Sequence, residues 1–507
     1  MSVKTLPIGT VISDRDTPTF ETVRIKLKAG QDVKPGMLVR IPVSRTEKTM
    51  LYGRIRSAYE SNSNESAESI NVTESMGLPR NYPKEEDSTR IFRLAEADLI
   101  EEIIETEIRA PQNLPNSGAE VFIADSNETV RVLGMETDQS KGLYIGETVS
   151  GTKTEIILKR EAIQRHFFIG GTTGSGKSYA MGVIAEELIK HKLPIIFIDT
   201  QNEYSQLVTK LKGTVKRPGH DFTIRISSLS ESELLNLLPA ATTELQKDIA
   251  ARAFSELQIE RVAENIAKFS IDDLLERMAI VGPQLTNNAS SVSMAISRVG
   301  SLRRNPIFGN GINMADWRKL MLPCLAIDCK RLTSSQLQPI ATAVLRELQN
   351  LRLHNHIPPY VAVVDEAHLF VPQGEGSPCK QIIREGVRIG RHHGICMVLM
   401  TQSPIDIDRS IIRQCNTRLV FALEPDQLDA IRGVKSDASE EMLRALPKMP
   451  RGTCLLSGTY ESVKHTIPVR IRERKTENSE GGKTPDIFKE MKDEWISKIN
   501  ELKQKEK

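Results

Sequence analysis

The residues with the clearest chemical potential begin with the run GGTTGSGKSYAMG at residues 170–182. It fits the spacing GxxxxGK[ST], with a short apolar segment before it and helical spacing after it. Glycines let backbone N–H groups turn inward around phosphate oxygens, and the helix N-terminus adds a positive dipole end. Lys177 can bridge β- and γ-phosphates, and the Ser178 hydroxyl can ligate Mg²⁺. The pattern predicts a site for ATP and Mg²⁺, with binding residues Gly171, Thr172, Thr173, Gly174, Ser175, Gly176, Lys177, Ser178 and Tyr179.

Hydrolysis needs acidic residues beside such a loop, and VAVVDEAH places two of them after four apolar residues. Asp365 would hold the Mg²⁺ through water, and Glu366 would orient and deprotonate the attacking water. Two acidic residues leaving a strand can also cap a helix, but the phosphate loop favours hydrolysis. The next strand, GICMVLMTQ, ends in Thr401 and Gln402. This polar pair is predicted to contact the γ-phosphate, or alternatively to form a turn that only solvates the strand end.

Arginines near these motifs are candidates for stabilising transition-state charge. Arg384, Arg388 and Arg391 in REGVRIGRHHG fall on one face of a helix. One of them could reach a nucleotide held by a neighbouring subunit. Arg165, just before the phosphate-loop strand, is a second candidate. Solvated surface charge is the competing interpretation for the helix.

The elements that must position these residues alternate from about residue 160. The apolar runs RHFFIG, LPIIFIDT, LPCLAID, YVAVVDEAH, GICMVLMTQ and TRLVFAL are separated by helical patterns. Continuous apolar strands between helices predict an α/β fold with a mostly parallel sheet that is covered on both faces.

The pattern divides the chain into three parts. Residues 1–150 read as short alternating strands separated by Gly, Pro and Asp, which predicts a small N-terminal β-barrel. The polar stretch Ser61–Ser75 within it is predicted to be a mobile loop or an insertion. Residues 151–470 form the predicted ATPase domain, with a helical insertion at about 230–304. Residues 471–507 are predicted to be a polar linker followed by a docking helix.

Composition limits the class of protein. The chain has 507 residues, so we expect more than one domain, and its formal net charge of +2 neither favours nor excludes nucleic acid. None of the six cysteines forms a CxxC pair, so buried free thiols are expected and a structural zinc site is not. With no apolar window near the roughly 20 residues of a membrane span and no secretory pattern, we expect a cytoplasmic protein.

The ordered motifs resemble the HerA/FtsK superfamily of ring-forming DNA-pumping ATPases, and the HerA family in particular. The resemblance is carried by FFIGGTTGSGKS, IDTQNEY, SRVGSLRRNPIFG, VVDEAH, GRHHG, TQSPIDIDRSIIRQCNT and LPKMPRGTCLLSG, behind a small N-terminal barrel. It implies a RecA-like P-loop ATPase core and a homo-hexameric ring with a central channel for double-stranded DNA. ATP would bind between subunits, and Gln402 would act as the sensor of the γ-phosphate.

The resemblance also assigns residues that the spacing alone leaves open. It implies that Arg391 acts across the subunit boundary and that Arg165 is another arginine near the nucleotide. Asp199 and Glu203 match an acidic pair after the second strand. The family often has glycine before that glutamate, whereas this chain has Asn202, the residue that next best tolerates left-handed geometry.

Partners follow from the resemblance as well. Family members act with a nuclease of the NurA type or with another effector enzyme, and the N-terminal barrel is the expected contact. Basic candidates for the DNA channel are Arg303, Arg304, Lys330 and Arg331, with ordinary surface charge as the alternative. The leading hypothesis is an ATP-driven DNA translocase or helicase in DNA-end processing or phage defence. The alternative is an ATP-binding scaffold that assembles and activates the effector.

Overall fold

The computed structural model describes most of the chain. Most of the polar stretch Ser61–Ser75 and most of the C-terminal tail lie outside the described residues. The described residues are 6–13, 18–43, 49–62, 91–263, 269–309, 314–374, 377–432, 437–459, 462–476, 495–497 and 499.

The N-terminal strands form a closed barrel. Neighbours pair in the order β2-β1-β7-β3-β4-β5-β6, and β2 also pairs with β5, which closes six strands into a ring and leaves β6 beside β5. Alternate residues of β2, Val23, Ile25 and Leu27, are buried, which is the period of a strand with one face inward. The predicted barrel is confirmed. Its strands are β1 (Gly9–Ile12), β2 (Thr22–Leu27), β3 (Leu38–Pro42), β4 (Thr49–Asn62), β5 (Ile91–Ile104), β6 (Glu107–Arg109) and β7 (Glu120–Ile123).

A second sheet of eleven strands forms the α/β core. Its order is β12-β13-β11-β14-β15-β10-β16-β17-β18-β8-β9. The first seven strands in this order are parallel, and the last four pair in antiparallel fashion. The predicted mostly parallel sheet is therefore confirmed. The strands are β8 (Gly142–Thr148), β9 (Glu155–Lys159), β10 (Phe167–Gly170), β11 (Ile195–Asp199), β12 (Thr214–Lys216), β13 (Cys324–Asp328), β14 (Tyr360–Val364), β15 (Ile395–Thr401), β16 (Thr417–Val420), β17 (Thr453–Ser457) and β18 (Ile467–Ile471).

Strand β8 shows where the second sheet starts along the chain. It precedes residue 150, the expected boundary between the first two domains, and it pairs with β18 and β9 in the second sheet.

Helices cover both faces of this sheet. Helices α4 to α7 lie between β12 and β13, in the region where a helical insertion was predicted. Ser230 and Ser270 start α4 and α6 with capping boxes, each accepting a hydrogen bond from the backbone N–H three residues on. The helices are α1 (Ser126–Leu133), α2 (Lys177–Lys190), α3 (Ser205–Lys210), α4 (Glu231–Asn236), α5 (Glu244–Ala263), α6 (Ile271–Leu285), α7 (Ala289–Gly300), α8 (Met314–Leu320), α9 (Ser334–Leu353), α10 (Pro378–His393), α11 (Arg409–Gln414), α12 (Leu428–Arg432) and α13 (Glu440–Ala445).

Alternate residues of β14 divide between two hydrophobic clusters. Val361 and Val363 belong to a cluster that includes buried residues of α2, whereas Ala362 and Val364 belong to one that includes the helical insertion. Because successive side chains of a strand point to opposite faces, the two clusters lie on opposite sides of the sheet. Burial on both faces explains why these strands are continuously apolar in sequence.

The register of the parallel strands brings four strand ends together. Gly170 of β10 lies beside Thr401 of β15, and Val364 of β14 lies between Ile198 of β11 and Leu399 of β15. Parallel neighbours run in one direction, so the loops after β10, β11, β14 and β15 all leave from the same edge. That edge is where ligands bind in open α/β sheets.

The remaining features of the fold are the state of the cysteines and the polarity of the long helices. All six cysteines are buried and unpaired, as the apolar runs around them indicate. No helix in the described part of the chain is long and apolar enough to cross a membrane.

Candidate nucleotide site

The loop between β10 and α2 depends on glycine for its shape. Gly174 and Gly176 have φ angles of 77° and 119°, in the left-handed region that side chains rarely adopt. A Cβ on Gly176 would also lie 3.1 Å from the backbone nitrogen of Gly452. That nitrogen donates a hydrogen bond to the carbonyl oxygen of Ser175 at 2.9 Å. The turn just before β17 therefore supports the phosphate loop from one side.

Lys177 is the first residue of α2 and folds back over the loop. Its Nζ donates to the carbonyl oxygens of Gly171 at 2.7 Å and Thr172 at 3.0 Å. Burial lowers the pKa of this ammonium, and the negative charges of Glu366 and neighbouring carboxylates oppose that shift. A phosphate fits this position because it would give the buried cation an anionic partner in place of two neutral carbonyl groups.

Asp365 sits among acidic groups that a cation would offset. Burial, and then the charge of Glu366, raises the pKa of the Asp365 carboxyl well above its usual value. Thr200 Oγ1 donates to Asp365 Oδ2 at 3.3 Å, and Ser178 Oγ donates to Glu203 Oε2. Among the described residues no group of three metal-ligating side chains is preassembled. This donor set fits Mg²⁺, which usually takes one or two protein oxygens with waters and substrate phosphates.

Glu366 is contacted by Gln201, which follows the neighbouring strand β11, and by His368 of its own segment after β14. The backbone of Glu366 has a φ of 48°, an unusual left-handed conformation that marks a constrained position. Gln201 Nε2 donates to Oε1 at 2.8 Å. The ring nitrogen Nδ1 of His368 lies 3.3 Å from Oε2 and 3.1 Å from Thr401 Oγ1. Oε2 is buried and accepts no hydrogen bond from the described residues, so it has a lone pair to offer to a water molecule.

Gln402 contacts the phosphate loop directly. Thr173 Oγ1 donates to Gln402 Oε1 at 2.5 Å, which joins the end of β15 to the loop after β10. The structure therefore places Gln402 beside the phosphate loop. The sensing role itself stays a prediction.

The turn after β11 has the left-handed geometry at Asn202 that the sequence analysis left open. Asn202 has a φ of 63°, so asparagine does adopt the left-handed geometry that glycine usually supplies. Asp199 fixes the turn by accepting from the backbone N–H groups of Glu203 at 3.0 Å and Tyr204 at 2.9 Å. Burial raises the pKa of Asp199 to about 6. The turn directs Glu203 to Ser178, as the hydrogen bond between them shows.

The three arginines of α10 share an exposed face. Arg384, Arg388 and Arg391 are all exposed, while Gly386 and Gly390 are buried on the opposite side. Arg384 is tied to Asp408 Oδ2 at 3.1 Å, within its own chain. Arg388 and Arg391 lie on the same exposed face of the helix.

Arg165 occupies a different position. It lies half-buried at the end of the short helix before β10, and its carbonyl oxygen accepts from the backbone N–H of Asn416 at 2.9 Å.

The four basic residues predicted to line a DNA channel lie on the surface of the protein. Arg303 pairs with Asp272, and the remaining exposed residues of that set are Arg304, Lys330 and Arg331.

Known protein families and relatives match this arrangement over most of the chain. A family described as "Helicase HerA, central domain" matches residues 143–348, and an AAA-like domain matches residues 289–471. The probable helicase MJ1565 of Methanocaldococcus jannaschii is 23% identical over 413 residues, which is 77% of each chain. The DNA double-strand break repair helicase HerA of Sulfolobus acidocaldarius is 22% identical, over 75% of this chain and 78% of that one. These matches make the chain similar to HerA-family helicases over most of its length.

The matches to the helicase HerA central domain and to an AAA-like domain identify the chain as an ATP hydrolase. A solved structure, VirB4 of Thermoanaerobacter pseudethanolicus, has the same core fold, with a TM-score of 0.53 and 16% identity. The likeness covers 66% of this chain and 97% of VirB4. The expected P-loop ATPase core is confirmed.

Sequence reasoning missed several residues of the candidate nucleotide site. Gln201 and His368 stand inside the quoted motifs IDTQNEY and VVDEAH, but nothing in their type or spacing shows that both approach Glu366. His166 precedes β10, and its buried ring joins α10 to β15. Arg474 contacts the start of α2 from more than 290 positions along the chain. These are tertiary contacts that carry no local sequence signal.

Proposed function

We propose that this ATPase is an ATP-driven translocase of double-stranded DNA. The observation that carries the proposal is the convergence of the phosphate loop, the acidic pair and Gln402 on one sheet edge. Relatives across most of the chain are named as DNA double-strand break repair helicases, which supports DNA as the substrate track. Such a track is bound through its phosphates, without sequence readout and with strong salt dependence.

The chemistry follows from the contacts of the site. Lys177 and Ser178 are placed to hold the phosphates of ATP and its Mg²⁺, and Asp365 to hold the ion through water. Bound Mg²⁺ would neutralise phosphate charge. Glu366, with Oε1 fixed by Gln201 and Oε2 unbonded, would orient a water and accept its proton.

The working assembly in this proposal is a homo-hexameric ring. ATP lies at the boundary between two subunits, and Arg391 of one subunit supplies positive charge to the nucleotide of the next. The exposure of Arg391 near the end of the helix that leads directly into β15 supports this role. Arg165 is the second candidate for a charge near the nucleotide.

The barrel is the proposed contact for a nuclease of the NurA type or another effector enzyme. It has its own closed hydrophobic core, so it presents an outer surface independent of the ATPase sheet. This same feature motivates the alternative function, a scaffold in which nucleotide serves assembly and the barrel activates the effector. DNA-end processing and phage defence are both compatible with either function.

DNA-stimulated ATP turnover tests the proposal against the scaffold. Duplex DNA added to the wild-type protein should raise the rate of ATP hydrolysis, and Glu366→Gln should abolish turnover while retaining ATP binding. Glu276→Gln is the matched control, since Glu276 is an exposed residue of α6, and it should behave as wild type. Hydrolysis that ignores linear, nicked and circular duplexes would contradict translocation and favour the scaffold.

A further inference from the structure

Residues 472–476, here called the strap, lie along the helix that begins at the phosphate loop. Arg472 is buried and forms two ion pairs with α2, from Nη1 to Glu186 Oε2 at 2.9 Å and from Nη2 to Glu187 Oε1 at 2.8 Å. Its Nε donates to the carbonyl oxygen of Tyr144 at 2.9 Å. The three side chains satisfy each other, which is what burial of charge requires.

The backbone of the strap is anchored to the same helix. Glu186 accepts hydrogen bonds from the N–H groups of Lys475 at 3.2 Å and Thr476 at 2.7 Å. Together with the ion pairs of Arg472, these contacts anchor both the first and the last residues of the strap to Glu186 and Glu187 of α2.

The middle residue of the strap, Arg474, contacts the first turn of α2, beside the phosphate loop. The backbone N–H of Arg474 donates to the Tyr179 hydroxyl at 2.8 Å, and the Arg474 guanidinium lies 5.7 Å from the centre of the Tyr179 ring. A Cβ on Gly182 would lie 2.8 Å from the Arg474 Cζ, so glycine at this position leaves room for the guanidinium. Tyr179, Gly182 and Glu186 share one helix face by their spacing.

The Arg474 guanidinium has no anionic partner in the described part of the chain. Its hydrogen bonds go to the neutral Thr476 Oγ1, at 3.3 Å from Nε and 3.2 Å from Nη2. Burial lowers the pKa of this guanidinium because the charged group loses part of its hydration. The charge of Glu186 opposes this shift without forming an ion pair with Arg474. A partly desolvated cation that lies beside a phosphate site and over an aromatic ring, with no ion pair among the described residues, is a ligand-binding feature.

We propose that Tyr179 and Arg474 form the subsite for the nucleobase of the bound nucleotide. The inference rests on the proposed use of ATP and names the residues that hold its nucleoside end. The phosphates occupy the loop up to Ser178, and Tyr179 is the next residue, half-buried on the first turn of α2. The ring and the guanidinium offer flat surfaces on which a base stacks, and stacking of this kind accepts any base. The strap is therefore a wall of the nucleotide site.

Calorimetric titration with ADP and with pyrophosphate, without DNA, tests this subsite. Arg474→Ala and Tyr179→Ala should each weaken ADP binding by about tenfold, since stacking is lost. Both should bind pyrophosphate as tightly as wild type, because the phosphate loop is intact. Tyr179→Phe keeps the ring and should keep most ADP affinity. Lys475→Ala removes an exposed cation of the same strap and should change neither affinity.

Two results would overturn the subsite. One is ADP affinity unchanged in both alanine variants. The other is an equal loss of ADP and pyrophosphate affinity, which would show that the substitutions damage the phosphate loop rather than a base contact. Because no DNA is present, either result leaves translocation untouched, and a protein that DNA does not stimulate could still show the predicted pattern.

Discussion

The buried ring of His166 makes stability depend on pH in a way that can be isolated. Nδ1 lies 3.1 Å from the backbone nitrogen of Met397 and must accept its N–H, so Nε2 carries the proton and donates to the carbonyl oxygen of Val387 at 2.8 Å. This neutral tautomer joins α10 to β15. Burial lowers the pKa of His166 from 6.5 to about 4, with the charge of Arg165 acting in the same direction.

The sign and the size of the effect follow from that shift. Between pH 6.5 and 4 the unfolded chain takes up a proton on this residue and the folded chain does not, so stability falls as the pH falls. The full contribution is about 3 kcal/mol, of which about 2 kcal/mol is lost between about pH 7.5 and about pH 5. Above the unfolded pKa the contribution is complete.

The matched variant is His166→Asn. Residue 166 has a φ of 59° and a ψ of 152°, a strained conformation for histidine and for asparagine alike, so the substitution leaves this backbone term nearly the same. The asparagine Oδ1 can accept the Met397 N–H in place of the ring nitrogen. Urea unfolding of the full chain is followed by fluorescence, since Trp317 is 3% exposed and the second tryptophan, Trp495, is already 69% exposed. The free energy of unfolding of the variant is lower by an amount that does not change with pH, because packing is lost. The quantity measured is how the difference in unfolding free energy between the two proteins changes with pH.

The wild-type protein should lose about 2 kcal/mol more than His166→Asn over the stated interval. Other shifted groups, such as His465 and Asp437 at the junction with the barrel, are the same in both proteins and cancel in the difference. Parallel pH profiles for the two proteins would refute the assignment of a neutral, doubly bonded imidazole to this position.

Two glycine substitutions in helices should have opposite signs. Gly390→Ala should destabilise the protein by about 1–3 kcal/mol in the same urea assay, because its Cβ would lie 2.2 Å from the carbonyl oxygen of Ile395. Gly300→Ala should stabilise it by about 0.5–1 kcal/mol, because the nearest atom, Leu275 Cδ1, is 3.7 Å away and alanine favours the helix. Equal effects at the two positions would show that the close approach of α10 to β15 is not real.

The features that could be predicted from the sequence are those encoded by short continuous stretches of residues. The phosphate loop, the acidic pair and the Thr401–Gln402 pair each follow an apolar strand, and parallel pairing alone brings such strand ends to one edge. The left-handed turn at Asn202 was foreseeable from residue type, and it is confirmed. The local sequence pattern was sufficient to predict these features because each depends mainly on the conformation of its own strand or turn.

The remaining contacts depend on packing between distant segments. The pair Gln201–Glu366 spans 165 positions, and the link from His166 to Met397 spans 231. Polar residues at such positions are also common on ordinary loops, so residue type gives no signal until the strands are aligned. The strap was missed for another reason, since its segment was read as a linker although Arg472 is buried.

The central claim is that ATP is hydrolysed at a boundary shared by two subunits. The direct test mixes two inactive proteins in one assembly, Glu366→Gln, which keeps the arginine, and Arg391→Ala, which keeps the glutamate. Co-expressed and purified through two different tags, they should recover about a quarter of wild-type ATP turnover, because random neighbours restore one boundary in four. Turnover in the mixed assembly no higher than in the separate variants would contradict the claim.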